Sequence, residues 1–367
     1  MKSKTYLMIT GLIVMSIIFT SCLQKEDIKI GLAIGLTGRN ADGSYAVRNT
    51  VILLTKRINE QGGIDGHMID LIIKDDQSDL EMVRKVDREF IEKGVKFVIG
   101  HDTSMKAQTT LQAIDGEDIL YISPTIATSE VSGIDDNFFR IRPTDVYLGE
   151  SAVKYMEKKN YDNVLIIYDS RNRAGAEGAI TSIKSGVKGA CFEHALYEKG
   201  ELGLEKTLDI LDKENIQTVI IMANSGDFTR IAQYLRSKNY NQPFLISNWS
   251  NANDLYERTG PAMDSTILLS TSNLYPDTEA YHQFYNDYLN EYGFEPITVE
   301  LLTYDAFNIL VKAMEKDPTD VLSVKNQLLS IKNYQGLTGN FSFDDYGDVL
   351  RESMFYIMKD GKWKLVE

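Results

Sequence analysis

From residue 28 onward the chain alternates short apolar runs with longer stretches of helical apolar spacing. Residues 29–34, 68–73, 96–99 and 119–122 read as strands of four to six residues with few polar interruptions, the pattern of a sheet covered on both faces. Between the first two, Val51, Leu54 and Ile58 keep helical spacing until Gly62-Gly63, where glycine suits a left-handed C-cap and Asp65-Gly66 supplies the turn. Ser78-Asp-Leu-Glu81 has the capping-box pattern and opens a helix to about Gly94, and another helix is expected over 104–114. The alternation continues with helix 146–159, strand 164–168, helix 174–187, strand 190–195, helix 204–214, strand 218–222, helix 227–238 and strand 244–246. Helices 279–292, 299–315 and 321–331 follow, then a strand over 353–358. Repeated strand-helix-strand units predict parallel sheets with helical crossovers, an α/β chain.

A chain of 367 residues with 43% hydrophobic residues is too long for one typical core and supports two. Its first residues differ in kind. Lys2 and Lys4 precede an apolar run over 7–19 and then Phe19-Thr20-Ser21-Cys22, small residues before a cysteine. The run fits the core of a signal and is short for a spanning helix. It looks like a bacterial lipoprotein leader, which implies cleavage after residue 21 and a lipid on Cys22. Residues 22–27 then act as a lipidated tether. The five residues 23–27 reach at most about 17 Å, so the body stays close to a membrane surface. The formal charge of −14 disfavours nucleic acid as a partner.

Catalytic chemistry finds no foothold. His67, His101, His194 and His282 are isolated from zinc-ligand spacings, and neither a Gly-x-Ser-x-Gly elbow nor a phosphate loop ending in Gly-Lys-Ser/Thr occurs. No enzyme activity and no cofactor is expected. Two acidic clusters, Asp75-Asp76 with Asp79 and Glu81, and Asp344-Asp345 with Asp348, lack the alternating pattern of a calcium loop and read as solvated turns. Cys191 reads as a buried free thiol.

Motifs spread along the chain carry a resemblance. Gly35-Leu-Thr-Gly38, Ile58-Asn-Glu-Gln-Gly-Gly-Ile-Asp-Gly66, Asp75-Asp-Gln-Ser-Asp79, Val98-Ile-Gly100, Ile122-Ser-Pro124, Phe139-Arg140, Tyr168-Asp169, Gly336-Leu-Thr-Gly339 and Gly347-Asp348 together resemble the extracellular solute-binding proteins typified by the leucine/isoleucine/valine-binding protein. That resemblance implies two doubly wound parallel-sheet lobes of the type I periplasmic-binding kind, joined by a three-segment hinge near 142–145, 270–274 and 335–340. Lobe one would comprise 28–143 plus 273–335, and lobe two 144–272 plus 336–367. The implied function is a lipid-anchored receptor of an ABC importer, trapping an amino acid or related small carboxylate. The permease and ATPase would be separate chains, since no spanning helix or nucleotide loop follows the leader. A sensory receptor passing occupancy to a signalling partner is the alternative.

Ligands of open parallel sheets bind beyond the carboxyl ends of the strands. In lobe one this selects the loops 35–44, 100–104 and 123–129. Ser104 opens a helix, so its hydroxyl and neighbouring amides suit a carboxylate. The resemblance implies that Thr125, Ile126, Ala127 and Thr128 hold an amino acid's backbone groups, although Thr128 falls one place later than the family's usual threonine. In lobe two, Asn224 and Ser225 are expected polar contacts. The resemblance also predicts a tyrosine after Tyr168-Asp169 and an acid after the strand 244–246; the chain instead has Arg171-Asn-Arg173 and Ser247-Asn-Trp249. Trp249 suits an apolar or aromatic ligand, and Arg39, Arg171 and Arg173 fall in cleft loops where a carboxylate would be recognised. These departures tilt the expected ligand away from a simple aliphatic amino acid.

Overall fold

The computed structural model describes residues 25–38, 41–198, 200–252 and 254–366; the expected leader, Cys22 and Arg39 lie outside the described residues. The apolar runs form two sheets. β1 (Ile28–Ile34), β2 (Ile69–Asp75), β3 (Phe97–Gly100), β4 (Leu120–Ser123) and β5 (Phe138–Arg140) are ordered β2-β1-β3-β4-β5, with every pair parallel. β6 (Val164–Asp169), β7 (Cys191–Leu196), β8 (Thr218–Met222), β9 (Phe244–Ser247) and β10 (Ile267–Ser270) form the parallel part of the second, ordered β7-β6-β8-β9-β10.

Each order reverses once, between β1 and β3 and between β6 and β8. Helices on opposite faces diverge at such a point and leave a crevice past the strand ends. In the first lobe the crossovers are α1 (Ala41–Glu60), α2 (Leu80–Glu92) and α3 (Ala107–Ile114). α4 (Asp145–Lys159), α5 (Glu177–Gly186), α6 (Glu205–Lys213), α7 (Ser225–Ser237) and α8 (Leu255–Thr259) serve the second. α9 (Glu279–Tyr292), α10 (Thr298–Met314) and α11 (Val321–Ser330) return to the first, where Phe284, Phe307 and Val324 share a core with Val47, Val51 and Leu54 of α1.

Gly63 shows why α1 stops where its apolar spacing does. Its N–H returns to the Ile58 carbonyl at 2.9 Å and its φ is +79°, while a Cβ there would lie 2.0 Å from the His67 carbonyl oxygen. The turn that follows also holds the chain's leading end. Lys25 pairs with Asp65 at 2.6 Å, and the His67 ring contacts the Glu26 carbonyl at 2.7 Å, so the last residues of the expected tether lie against the body.

The segment 336–350 departs from the expected division. β11 (Tyr334–Gly336), β12 (Gly339–Phe343) and β13 (Val349–Leu350) form a small antiparallel sheet, and Leu337, Phe341, Phe343 and Val349 enter the first lobe's core beside Phe139 and Phe307. Residues 336–350 therefore pack with lobe one rather than lobe two, because alternate apolar residues of β12 need an apolar partner and find it there. The chain returns to the second sheet with β14 (Met354–Lys359), antiparallel to β10, and β15 (Lys362–Leu365). No helix among the described residues is long and apolar enough to cross a membrane.

Candidate functional site: a cavity between the lobes

Strand-end loops of both sheets enclose a cavity of about 380 Å³, within the usual range for a small-molecule site. Lobe one contributes the start of α1, Asp102 to Ser104 after β3, and Thr125 and Ala127 after β4. Lobe two contributes Asn172 and Gly175 after β6, Asn224 to Gly226 at the start of α7, and Ser247 to Trp249 after β9. Arg142, on the crossing between β5 and α4, lines it too.

The lobes touch at the rim. Asn172 Oδ1 accepts the Met105 N–H at 3.3 Å across the cleft. A Cβ on Gly175 would lie 3.2 Å from Ser104 Oγ, so the glycine permits this approach. Asp145 ties the hinge: its carboxylate accepts the N–H of Ser129 at 2.8 Å and of Gly178 at 2.7 Å, and its own N–H donates to the Ala127 carbonyl at 2.6 Å. This is a closed arrangement.

Of the anticipated residues, Ser104, Thr125, Ala127, Asn224 and Trp249 line the cavity. Several are already engaged. Ser104 Oγ accepts the Ala127 N–H at 3.2 Å, so with the Asp145 contact both backbone polar groups of Ala127 have partners. Thr125 Oγ1 donates to the Asp102 carbonyl at 2.9 Å, and Asn224 caps α7 through Asp227 N–H at 2.9 Å.

Ile126, Thr128, Arg171 and Arg173 do not line it. Ile126 is fully buried in the apolar layer with Val98 and Tyr121. Thr128 caps the short turn Ser129–Val131 by accepting the Glu130 N–H, and its carbonyl accepts from Arg140. Arg171 is drawn to Asp169 at 2.7 Å and Asp227 at 3.1 Å and stacks 3.5 Å above the Tyr197 ring centre. Arg173 pairs with Glu177 one turn on and stays exposed. In each case a nearer acid, an apolar layer or, for Thr128, a turn cap outcompetes the cleft.

Under the lobe-one floor lies a chain of buried charges. Asp102 accepts from Ser44 and, at 3.3 Å, from Gly35 N–H, and it pairs with Lys106. Lys106 also meets Asp76 at 2.7 Å; His101 bridges Asp76 at 2.5 Å and Asp87 at 2.9 Å; the Tyr121 hydroxyl donates to Asp87 at 2.6 Å. Asp76 is fully buried, so the first acidic cluster is not simply a solvated turn. Nor is the second, since Asp348 pairs with the buried Arg140. Burial alone would lower the His101 pKa, but the Asp87 and Asp76 carboxylates outweigh it and raise it to about 9. Burial likewise opposes the Asp76 charge, yet His101 and Lys106 bring its pKa down to about 2. With Lys106 and two donors on its carboxylate, Asp102 has little left for a ligand amine. Glu300, which also lines the cavity, is pushed up by burial to about 7 against the Ile297 amide and Tyr288 hydroxyl that it accepts from.

Sequence reasoning passed over Arg142, Asn172 and Asn248. Arg142 was visible only as part of a hinge segment; the signal was a second arginine two residues after Arg140 in a loop leading away from a buried strand. No group of three or more metal-binding side chains occurs among the described residues.

Comparison with known proteins fits this architecture. A model of the family described as periplasmic binding protein matches residues 27–362. The chain belongs to that family. It is 23% identical over 336 residues to the leucine-, isoleucine-, valine-, threonine- and alanine-binding protein of Pseudomonas aeruginosa, spanning 89% of this chain and 88% of that protein. Against the Leu/Ile/Val-binding protein homolog 1 of Brucella suis, identity is 25% over 331 residues, spanning 88% and 87%. Among solved structures, a branched-chain amino acid transporter substrate-binding protein from Streptococcus pneumoniae, in complex with isoleucine, superposes with a TM-score of 0.83 at 21% identity, covering 93% of this chain and 99% of that one. A solute-binding protein of an ABC transporter from R. palustris, in complex with benzoate, does so with a TM-score of 0.82 at 16% identity, covering 93% and 95%. As a periplasmic binding protein, the chain is an extracytoplasmic binding protein.

Proposed function

We propose that this receptor serves an ATP-driven importer, is held to a bacterial membrane by a lipid on Cys22, and traps an amino acid or related small carboxylate between its lobes. The observation that carries the reading is the cavity of about 380 Å³ walled by strand-end loops of both sheets. A solute seated there contacts both lobes only when they close, so it shifts the open-closed equilibrium toward the closed form, which the permease then engages. Relatives named for branched-chain amino acids and a structural neighbour holding benzoate support a small carboxylate as the solute class. Trp249 in the wall favours ligands with an apolar or aromatic body.

The test is thermal unfolding and isothermal titration of the full chain with L-leucine, L-isoleucine and benzoate. A bound solute raises Tm by mass action. A Tm unmoved by all amino acids and small carboxylates counts against the reading. Mass spectrometry of the N-terminal peptide checks the anchor, with a diacylglycerol-modified Cys22 as the expected species and an uncleaved leader as the contrary one.

A further inference from the structure

Arg142 is the cation in the cavity wall whose charge the fold leaves without an answer. Its side chain lines the cavity, and its Nε is shielded from solvent with no hydrogen-bond partner among the described residues. Asp145 is the carboxylate whose charge reaches it, yet that carboxylate is already spent on the amides of Ser129, Val146 and Gly178. Burial pulls the Arg142 pKa down, Asp145 opposes, and the result of about 10 leaves the guanidinium charged at neutral pH.

Arg142 is half-buried, a polar nitrogen shielded from water without a partner is costly, and a guanidinium presents a rigid fork that matches a carboxylate. The other seat for an anion, beside Ser104, is reduced in the closed state: the Met105 N–H is taken by Asn172, and Ser104 Oγ, which accepts the Ala127 N–H, has only its single neutral O–H to donate. Arg258 also lines the cavity but is paired with Asp254 at 2.8 Å. Asn248 adds a complementary demand, since its buried Oδ1 lines the same space with no donor among the described residues.

We propose that Arg142 is the anion-binding residue of the cavity, pairing in the closed state with the carboxylate of the trapped solute, so that the receptor selects small carboxylates over their uncharged analogues. The proposal rests on the receptor reading above and names the side chain that sets its solute class. Asn248 then accepts from an N–H or O–H elsewhere on the solute. Because Arg142 sits on a segment joining the lobes, closure without an anion leaves its Nε shielded and unpaired, and the carboxylate removes that obstacle.

The experiment titrates matched acid and amide pairs, leucine with leucinamide and benzoate with benzamide, into the full chain and into Arg142→Met, Arg142→Lys and Arg173→Ala. One acid should bind the wild type at least about 100-fold more tightly than its amide. In Arg142→Met that acid loses about 100-fold while the amide changes little, collapsing the preference; Arg142→Lys restores part of it, and Arg173→Ala behaves as wild type. Without ligand, Arg142→Met should melt no lower than wild type, because it removes a half-buried cation whose Nε has no partner among the described residues. Unchanged acid affinity in Arg142→Met, or a wild type that prefers the amides, overturns the anion assignment while leaving the receptor reading intact. Lost binding with a lowered ligand-free Tm also overturns it, marking Arg142 as a packing residue. A wild type that binds no member of either pair and no acid of a wider screen of amino acids and small carboxylates sinks the receptor reading, and the assignment falls with it.

Discussion

Arg140 and Arg142 are two residues apart on the segment that leaves the first sheet, yet the fold treats them oppositely. Arg140 is fully buried and saturated: its guanidinium pairs with Asp348 and donates to the Thr128 carbonyl and, at 2.6 Å, to Ser132. Arg142 faces the cavity with Nε unanswered. A buried cation given protein acceptors is a fixture, here tying β5 to the 344–348 turn, whereas a half-buried one whose Nε is left without them depends on something from outside. The same contrast separates His101 and Lys106, closed within carboxylates, from the cavity they lie beneath.

The largest expected effect tests the saturated side. Arg140→Ala leaves Asp348 unpaired and the Thr128 carbonyl without its donor, and should cost about 3–5 kcal/mol in denaturant unfolding, while Arg142→Ala costs far less. Equal losses at both positions would erase the distinction. Next comes pH. His101 titrates near 9 in the folded protein against an ordinary 6.5, so its contribution is fully present below about 6.5 and is lost as pH rises through about 9. The loss should approach roughly 3 kcal/mol by pH 10, and His101→Gln should flatten the unfolding profile in that window.

A smaller effect is expected at the rim. Asn172→Ala removes a neutral hydrogen bond that joins the lobes, costing about 1 kcal/mol and shifting small-angle scattering of the ligand-free protein toward a more open form. No change in either observable would mean that the contact does not help hold the closed state. Smallest of all, Arg173→Ala should move unfolding by less than about 0.5 kcal/mol, because its pair with Glu177 is solvent-exposed.

Much of the fold was legible along the chain because its signals are local. Buried parallel strands need uninterrupted apolar runs, and Gly62-Gly63 marks a helix end that no other residue closes as easily. β5 and β10 escaped notice: the first has three residues and the second four, bounded by serines and threonines that resemble loop. The placement of 336–350 was missed because a short amphipathic hairpin shows that it has an apolar face but not which lobe receives it. Loop positions around the site were found where strand ends predict them, at Ser104, Thr125, Ala127, Asn224 and Trp249. The arginines were another matter. Arg171 and Arg173 look the same in sequence as Arg142, and what distinguishes them is that Asp169, Asp227 and Glu177 pair with the first two, whereas Asp145 near Arg142 is held by backbone amides.

Apolar periodicity, glycine-marked turns and the spread of motifs were thus enough to specify two doubly wound lobes and a binding protein, because those features depend on neighbours in sequence. Which acids are buried and which arginine is saturated depend on partners tens or hundreds of residues away, as with Arg140 and Asp348, and even where an acid lies close in sequence, as Asp145 does to Arg142, only the fold decides whether the two pair. A side chain's charge is written in the sequence, but its neutralisation is a property of tertiary distance, and only the folded lobes decided that Arg142 would face the cavity.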